Sequence, residues 1–583
     1  MLLYDDADCA ALSAAIPQMM RDGEALKSAH VAPTQDQRAA VSAMVLAFVR
    51  HRGRKVYGGH ALNAALLDLS PEDAIYSAGR QVQPADEQGI IGGGASDIAD
   101  IEFYSPDPIA DVVELCDRLF AAGHSYVQGR EAMHHGTFTI SVEFKRVCDV
   151  SFFPRPAYDH LPVRASDPSS MLPFAWDPLS AGVGPPVLTI DPAFAAIDHL
   201  KILCDPFTSY WKLDRMLPRL LLIQKHFPLS HPFLPPPPPP PSSHGGKRAG
   251  PPPLTATEMS VVTTALAWAA DHGTLAVVGE HALSYFKEWA DVLVGAQTQE
   301  SQATPCRDPL PRHLTMVSVA YADDLEALVS FAEAAGEAGK AASGEQHAPR
   351  VRLTEYYPFA DMLGRRTTLR LRAGGAPLIT LIDARSKAVP VCGRGRDGAP
   401  VCSLTYAMMT SMALRFLARA DSRSTAERDQ GEVIASLMLA RRVGLTAIGL
   451  TVADEGSPFR DTHLAFIGQP LSEMRIHMGG TDERRVRAGP NAMVWFTYDP
   501  NRNGAGGVRG RGKGGRGGQS RGGGQGQHRQ YMLLRCDGAI VSPGDSVLMA
   551  RRTERSLAET MKSMALDWTK VPDAPDAPEV FVS

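Results

Sequence analysis

The chain is 583 residues long, 44% hydrophobic and 21% charged, a globular mixture long enough for several packed domains. Its net charge of -5 gives no global attraction to a polyanion, so any nucleic-acid site has to come from local clusters of Lys and Arg. Its eight cysteines form no CxxC pair, which argues against a zinc ribbon or a disulfide scaffold and fits reducing, intracellular conditions. The N-terminus is acidic where a signal peptide would be basic, and no apolar run reaches the roughly 20 residues needed to span a bilayer. A soluble protein is expected.

Along the chain, DQRAAVSAMVLAFVRH from Asp36 to His51 has apolar residues at helical spacing. It leads through RKVY, a short strand, into the Gly58-Gly59 turn. HALNAALLDL then reads as a helix, DIADIEFYS as an alternating strand, DPIADVVELCDRLFAAG as a helix and TFTISVEFKRVCDVSFF as paired strands. The pattern predicts an α/β (α+β) domain with a small, mostly antiparallel sheet and helices beside it.

Two low-complexity stretches punctuate the sequence. Seven consecutive prolines from Pro235 to Pro241 run on to Pro253 and read as a polyproline linker or an expanded surface loop. A Gly/Arg tract runs from about Arg502 to Arg529. The expected organisation is an N-terminal helical segment at 1–35, a first α/β unit with its following helices at 36–230, the Pro-rich segment at 231–254, a second unit at 255–500, the Gly/Arg insertion at 501–530 and a completing segment at 531–583. The second unit echoes the first: LAVVGEHALSYF places strand, glycine, His-Ala-Leu and helix in the order of RKVYGGHALNAAL, and TTLRLRAGGAPLITLIDARS repeats a hairpin ending in an acid, Asp383. An internal duplication and the ordinary recurrence of strand-glycine-helix turns both account for this match.

Chemistry points to the first unit. Asp100 and Glu102 lie two apart in a strand and so project from one face. Two adjacent carboxylates repel each other unless a cation lies between them, which suits Mg²⁺, a hard ion that prefers carboxylate oxygens and substrate phosphates. Asp149 lies in RVCDVSFF among apolar neighbours, where a carboxylate needs a partner. If the two strands are neighbours, three carboxylates converge on a site able to hold two metal ions. Asp97 competes with Asp100 for the first position, but lacks the i, i+2 spacing. Gly58 and Gly59, without Cβ atoms, let a triphosphate approach backbone N–H groups and the positive end of the following helix.

This order, strand-Gly-Gly-helix, then D-x-[DE], then a single acid in a later strand, is the pattern of the nucleotidyltransferase fold shared with DNA polymerase β. KVYGGHALNAAL, SDIADIEFYSPDP, VEFKRVCDVSFFP and IDHLKILCDPFTSYWKLDRMLPRLLLIQKHFP resemble the poly(A) polymerase catalytic subunits of giant viruses and, more distantly, poxviruses. The likeness covers roughly 36–230 and continues faintly through EYYPF and IDARSKAVPV. It implies a template-independent polymerase that adds AMP from ATP to RNA 3′ ends and releases pyrophosphate. Asp100, Glu102 and Asp149 would be catalytic and metal-binding, with two Mg²⁺ or Mn²⁺ ions; Gly58, Gly59, Asn63, Lys212 and Arg215 would contact the nucleotide. It also implies a homodimer and a viral protein of the host cytoplasm or virion. Other terminal transfers, such as uridylyl addition, and an inactive RNA-binding scaffold remain alternatives.

Arg509, Arg511, Lys513, Arg516 and Arg521 lie in a stretch with no acid between Pro500 and Cys536, a composition that attracts single-stranded RNA by charge and stacking. The second unit is expected to be a degenerate nucleotidyltransferase-like copy, because Glu280 follows Gly279 where a phosphate would sit and Asp323-Asp324 are consecutive rather than two apart.

Overall fold

The computed structural model describes residues 4–30, 35–76, 100–132, 137–153, 155–167, 185–205, 209, 212–227, 254–297, 313–343, 351–356, 359, 362–371, 377–384, 387–420, 430–455, 457, 459–460, 465–468, 497–503, 533–534, 540–541 and 551–555. Asp97, the Pro-rich segment and the Gly/Arg tract, including Arg509, Arg511, Lys513, Arg516 and Arg521, lie outside the described residues. No described helix is long and apolar enough to cross a membrane.

The first unit begins with helices α1 (Asp6–His30) and α2 (Gln35–Arg52). Then come strand β1 (Lys55–Tyr57), helix α3 (Gly58–Leu69), strand β2 (Ile101–Ser105) and helix α4 (Pro108–Ala121). A meander of β3 (Gln128–Glu131), β4 (Thr137–Val142) and β5 (Lys145–Phe152) follows, then the short helix α5 (Arg155–Asp159) and the hairpin β6 (Val163–Ser166) and β7 (Val187–Ile190). Helices α6 (Pro192–Leu203) and α7 (Leu213–His226) close it. Asp191 caps α6, its Oδ1 accepting from the Ala193 N–H at 2.9 Å with Pro192 in the first turn, a pairing that fixes where a helix starts.

The second unit repeats this series with α8 (Ala256–His272), β8 (Leu275–Val278), α9 (Gly279–Gln297), β9 (Leu314–Ser318), α10 (Tyr321–Ser343), β10 (Arg352–Tyr356), β11 (Arg366–Arg370), β12 (Ile379–Asp383), β13 (Val389–Arg394), β14 (Pro400–Cys402), α11 (Leu404–Ala420) and α12 (Gln430–Ile448). Two-residue β15 (Phe466–Ile467) and β16 (Thr497–Tyr498) follow, and a strand at Arg551–Arg555 ends the series.

The first sheet runs β16-β3-β4-β5-β2-β1-β7-β6, and the second places β13-β14-β8-β9-β12-β11-β10 between β15 and the Arg551–Arg555 strand. Read from the Arg551–Arg555 edge, the second order matches the first strand for strand, with β15 added at the far edge. In both, the first strand pairs antiparallel with the second, the second runs parallel to the last strand of the meander, and the first also runs parallel to the second strand of the closing hairpin. Of the two accounts of the GGHAL and GEHAL echo, shared topology favours duplication over recurrence of a common turn.

A buried network recurs with it. Ser105 Oγ donates to Asp111 Oδ2 at 2.5 Å and accepts from the Asp107 N–H, while Ser318 Oγ donates to Asp324 Oδ2 at 2.5 Å and accepts from the Ala320 N–H. Each ties the end of a strand to the first turn of the next helix.

The units share apolar packing. Phe194 of α6 lies edge-on to Phe416 of α11 at 5.0 Å between centroids, and Phe153 meets Phe359 at 5.4 Å. A second cluster, built on Val45, Phe48, Phe103, Val112 and Leu115, fills the space between the first sheet and α2 and α4. Late in the chain, Thr497 and Tyr498 return to the first sheet, pairing with Arg130 and Gly129.

Candidate active site

Direct cross-strand partners present their side chains on one face of a sheet. One such row crosses five strands of the first sheet: Arg130 opposite Thr139, Thr139 opposite Asp149, Asp149 opposite Glu102 and Glu102 opposite Tyr57. The strands carrying the two acids are thus neighbours, as the sequence required for the carboxylates to meet.

Gly58 follows Tyr57 with φ +71, and a Cβ there would fall on the Glu102 carboxylate. Only a residue without a side chain permits both that backbone conformation and that approach. At Gly59 a Cβ would strike the Tyr76 hydroxyl and lie 3.0 Å from Arg219 Nη2. Arg219, on α7, donates to the Tyr76 hydroxyl at 3.0 Å. The amide of Asn63 clamps Tyr76 by its backbone: Nδ2 donates to the Tyr76 carbonyl at 3.2 Å and Oδ1 accepts from its N–H at 2.7 Å.

The carboxylates are unevenly compensated. Thr139 Oγ1 donates to Asp149 Oδ1 at 2.7 Å. Arg146 Nε lies 2.9 Å from Asp100 Oδ2 and its Nη1 lies 3.6 Å from Asp149 Oδ2, so this guanidinium bridges two of the three acids. Glu102 is pushed up to about 7 by burial, with Asp100 and Asp149 adding repulsion that Lys212 and Arg219 offset. Burial, followed by Asp100, likewise raises Asp149, against Arg146, Thr139 and Lys212. Lys212 is lowered by its own burial, opposed by Glu102. The site therefore concentrates negative charge in a poorly solvated place, with cations from α7 facing it.

The structure brings Glu102, Asp149, Gly58, Gly59 and Lys212 together, with Asp100 at the margin, joined through Arg146. Asn63 is fully buried and its amide is engaged with Tyr76, so it acts on the site through that residue. Arg215 is solvent-exposed in the first turn of α7. Among the described residues no three His, Cys, Asp or Glu side chains form a ready metal-ligand group, and Arg146 reaches both Asp100 and Asp149. The donor set still fits a hard divalent cation: all three are carboxylates, and Glu102 holds its proton unusually tightly without added positive charge. Sequence reasoning missed Arg146, Tyr76 and the site role of Arg219. Arg146 was visible only as a basic residue three positions before Asp149.

In the second unit the equivalent positions hold no carboxylate. Sheet register sets Thr315 and Thr380 against each other as Glu102 and Asp149 are set in the first, with His313 preceding β9 as Asp100 precedes β2. His313 Nε2 lies 2.7 Å from Thr380 Oγ1, which lies 2.7 Å from Thr368 Oγ1. Two sequence correspondences are corrected here. Asp324 matches Asp111 and not the metal-site acids, and Asp383 matches Phe152, since it pairs with Ser318 as Phe152 pairs with Ser105.

A glycine turn opens a helix beside a carboxylate pair on neighbouring strands, faced by cations at the start of and along a following helix, which is the arrangement the sequence pattern of a nucleotidyltransferase site led one to expect. Residues 43–209 match the family model of the poly(A) polymerase catalytic subunit. The chain is 22% identical over 504 residues, 83% of this chain and 76% of the relative, to an Acanthamoeba polyphaga mimivirus protein with the provisional name of poly(A) polymerase catalytic subunit. Its fold is that of the Megavirus polyadenylate synthase, with a TM-score of 0.60 at 22% identity, covering 86% of this chain and 87% of that one.

Proposed function

We propose that the chain extends RNA 3′ ends with AMP from ATP, the oxygen of the terminal 3′-hydroxyl forming a bond to the α-phosphorus as the bond to pyrophosphate breaks and the hydroxyl proton passes to solvent. The observation that carries this reading is the pairing of Glu102 with Asp149 beneath the Gly58 turn. Asp100, Glu102 and Asp149 would hold two Mg²⁺ or Mn²⁺ ions, which when bound supply positive charge to the phosphates and acidify the attacking hydroxyl. Gly58 and Gly59 admit the triphosphate to the start of α3. Lys212 and Arg219 face its charge, Arg215 adds a more distant cation, and Asn63 keeps Tyr76 where it steadies Arg219. Arg146 balances the charge of Asp100 and Asp149. The second unit, with His313, Thr315 and Thr380 in place of acids, serves as a wall to the cleft and performs no transfer. Arg509, Arg511, Lys513, Arg516 and Arg521 retain RNA by charge.

Incubation with a labelled single-stranded RNA, Mg²⁺ and each ribonucleoside triphosphate in turn tests the reading. Extension with ATP far above the others is expected, and equal use of all four would refute adenylyl selectivity. Asp149→Asn should abolish extension without lowering the melting temperature, and an active variant would refute this site. In the same assay, a chain lacking 504–527 should bind RNA less tightly and with a weaker salt dependence, while still adding the first nucleotide.

A further inference from the structure

The first unit carries a second feature on the strand that bears Asp149. Among the described residues three that are not glycine have positive φ: Tyr126 at 51°, Glu143 at 48° and Phe144 at 64°. Such values are strained for bulky side chains. Glu143 and Phe144 form the two-residue loop between Val142 and Lys145 of β4 and β5, a position that Asn-Gly would fill without strain. The Glu143 N–H donates to the Ser125 carbonyl at 3.1 Å, tying this loop to the bend that holds Tyr126.

The strain holds two aromatic rings side by side in water. Tyr126 is 68% exposed and Phe144 73%, with centroids 4.6 Å apart and planes 32° from parallel. Their surroundings in sequence are polar and charged, Ser125, Glu143, Lys145 and Arg146, with two cations to one acid, instead of the apolar rim of a protein-docking patch. From Phe144, β5 runs to Asp149 over roughly 16 Å at strand spacing, a span of a few nucleotides. On β3, Gln128 and Arg130 are exposed on alternate positions after Tyr126, and Arg130 begins the row that contains the acids.

We propose that Tyr126 and Phe144 form a stacking platform for unpaired bases of the RNA strand upstream of its reacting 3′ end, with Gln128 and Arg130 along the path to Asp149. Ring faces accept any base, so the platform holds strands of varied sequence and the growing tail alike. This inference rests on the nucleotidyl-transfer reading, but its test does not depend on turnover.

Fluorescence anisotropy with a labelled single-stranded RNA of about 15 nucleotides measures it directly. Tyr126→Asn combined with Phe144→Asn removes the rings while supplying residues that tolerate positive φ. Binding should weaken about ten-fold or more while the melting temperature holds or rises. Tyr126→Trp with Phe144→Trp should bind at least as tightly as the wild type. Asp149→Asn should bind like the wild type, which separates failure of the platform from failure of the catalytic assignment. Affinity of the double Asn variant within about two-fold of wild type, where stacking predicts a much larger loss, would overturn the platform. Loss of self-association alone, with RNA affinity kept, would assign the rings to a protein contact and overturn it equally.

Discussion

Gly58 concentrates the constraints on the site in one residue. Its φ of +71 disfavours any side chain, and its Cβ position is taken by the Glu102 carboxylate. Gly58→Ala should therefore cost about 1 kcal/mol or more of stability and, by displacing Glu102, most of the extension activity. Melting curves with the extension assay check both, and full activity with unchanged stability would remove Gly58 from the phosphate turn. At this scale the sequence was informative where chemistry is local. The i, i+2 spacing of Asp100 and Glu102 and the apolar flanks of Asp149 each carry their meaning within a few residues. Arg146, Tyr76 and Arg219 were not legible, because their roles depend on distant partners: Arg146 reaches back to Asp100, and Arg219 meets Tyr76 only once α7 lies against the start of α3.

Between elements, the repeated strand-to-helix junction offers a comparison within one chain. Asp111 receives Ser105 Oγ and also the Arg54 guanidinium, Nε at 2.6 Å and Nη2 at 2.7 Å. Asp324 receives neutral donors among the described residues: Ser318 Oγ, Thr274 Oγ1 at 3.0 Å and Trp268 Nε1 at 3.1 Å. Truncating Asp111 strands a largely buried cation, whereas truncating Asp324 strands neutral groups. Asp111→Ala is thus expected to cost about 3–5 kcal/mol and Asp324→Ala about 1–3 kcal/mol, measured by denaturant midpoint; the reverse order would mean that Arg54 contributes nothing. The duplication was half legible for the same reason. Gly-x-His-Ala-Leu can be read in sequence because its five residues are contiguous in both units. The acids could not be aligned from sequence, since only register places Thr380, and not Asp383, opposite the second strand's site position.

At the scale of the whole molecule, His313, Thr315 and Thr380 make the second unit's matching position neutral where the first carries acids, and the buried histidines have a consequence in pH. His281 and His313 are each pushed down to about 4, first by burial, and His199, on the α6 helix that packs against α11, is likewise at about 4. With folded values near 4 and an unfolded value near 6.5, the unfolded chain binds more protons between those limits, so stability rises with pH across that window. It is complete above about 6.5 and is lost as pH falls toward 4. The native state must then either charge a buried imidazole or unfold. Calorimetry from neutral pH downward should show the melting temperature falling most steeply across this interval. His313→Gln, which keeps a polar group beside Thr380, should flatten part of that slope. A melting temperature independent of pH down to about 4 would mean that these histidines are solvated, and that the position around His313 and Thr380 is not sealed from water.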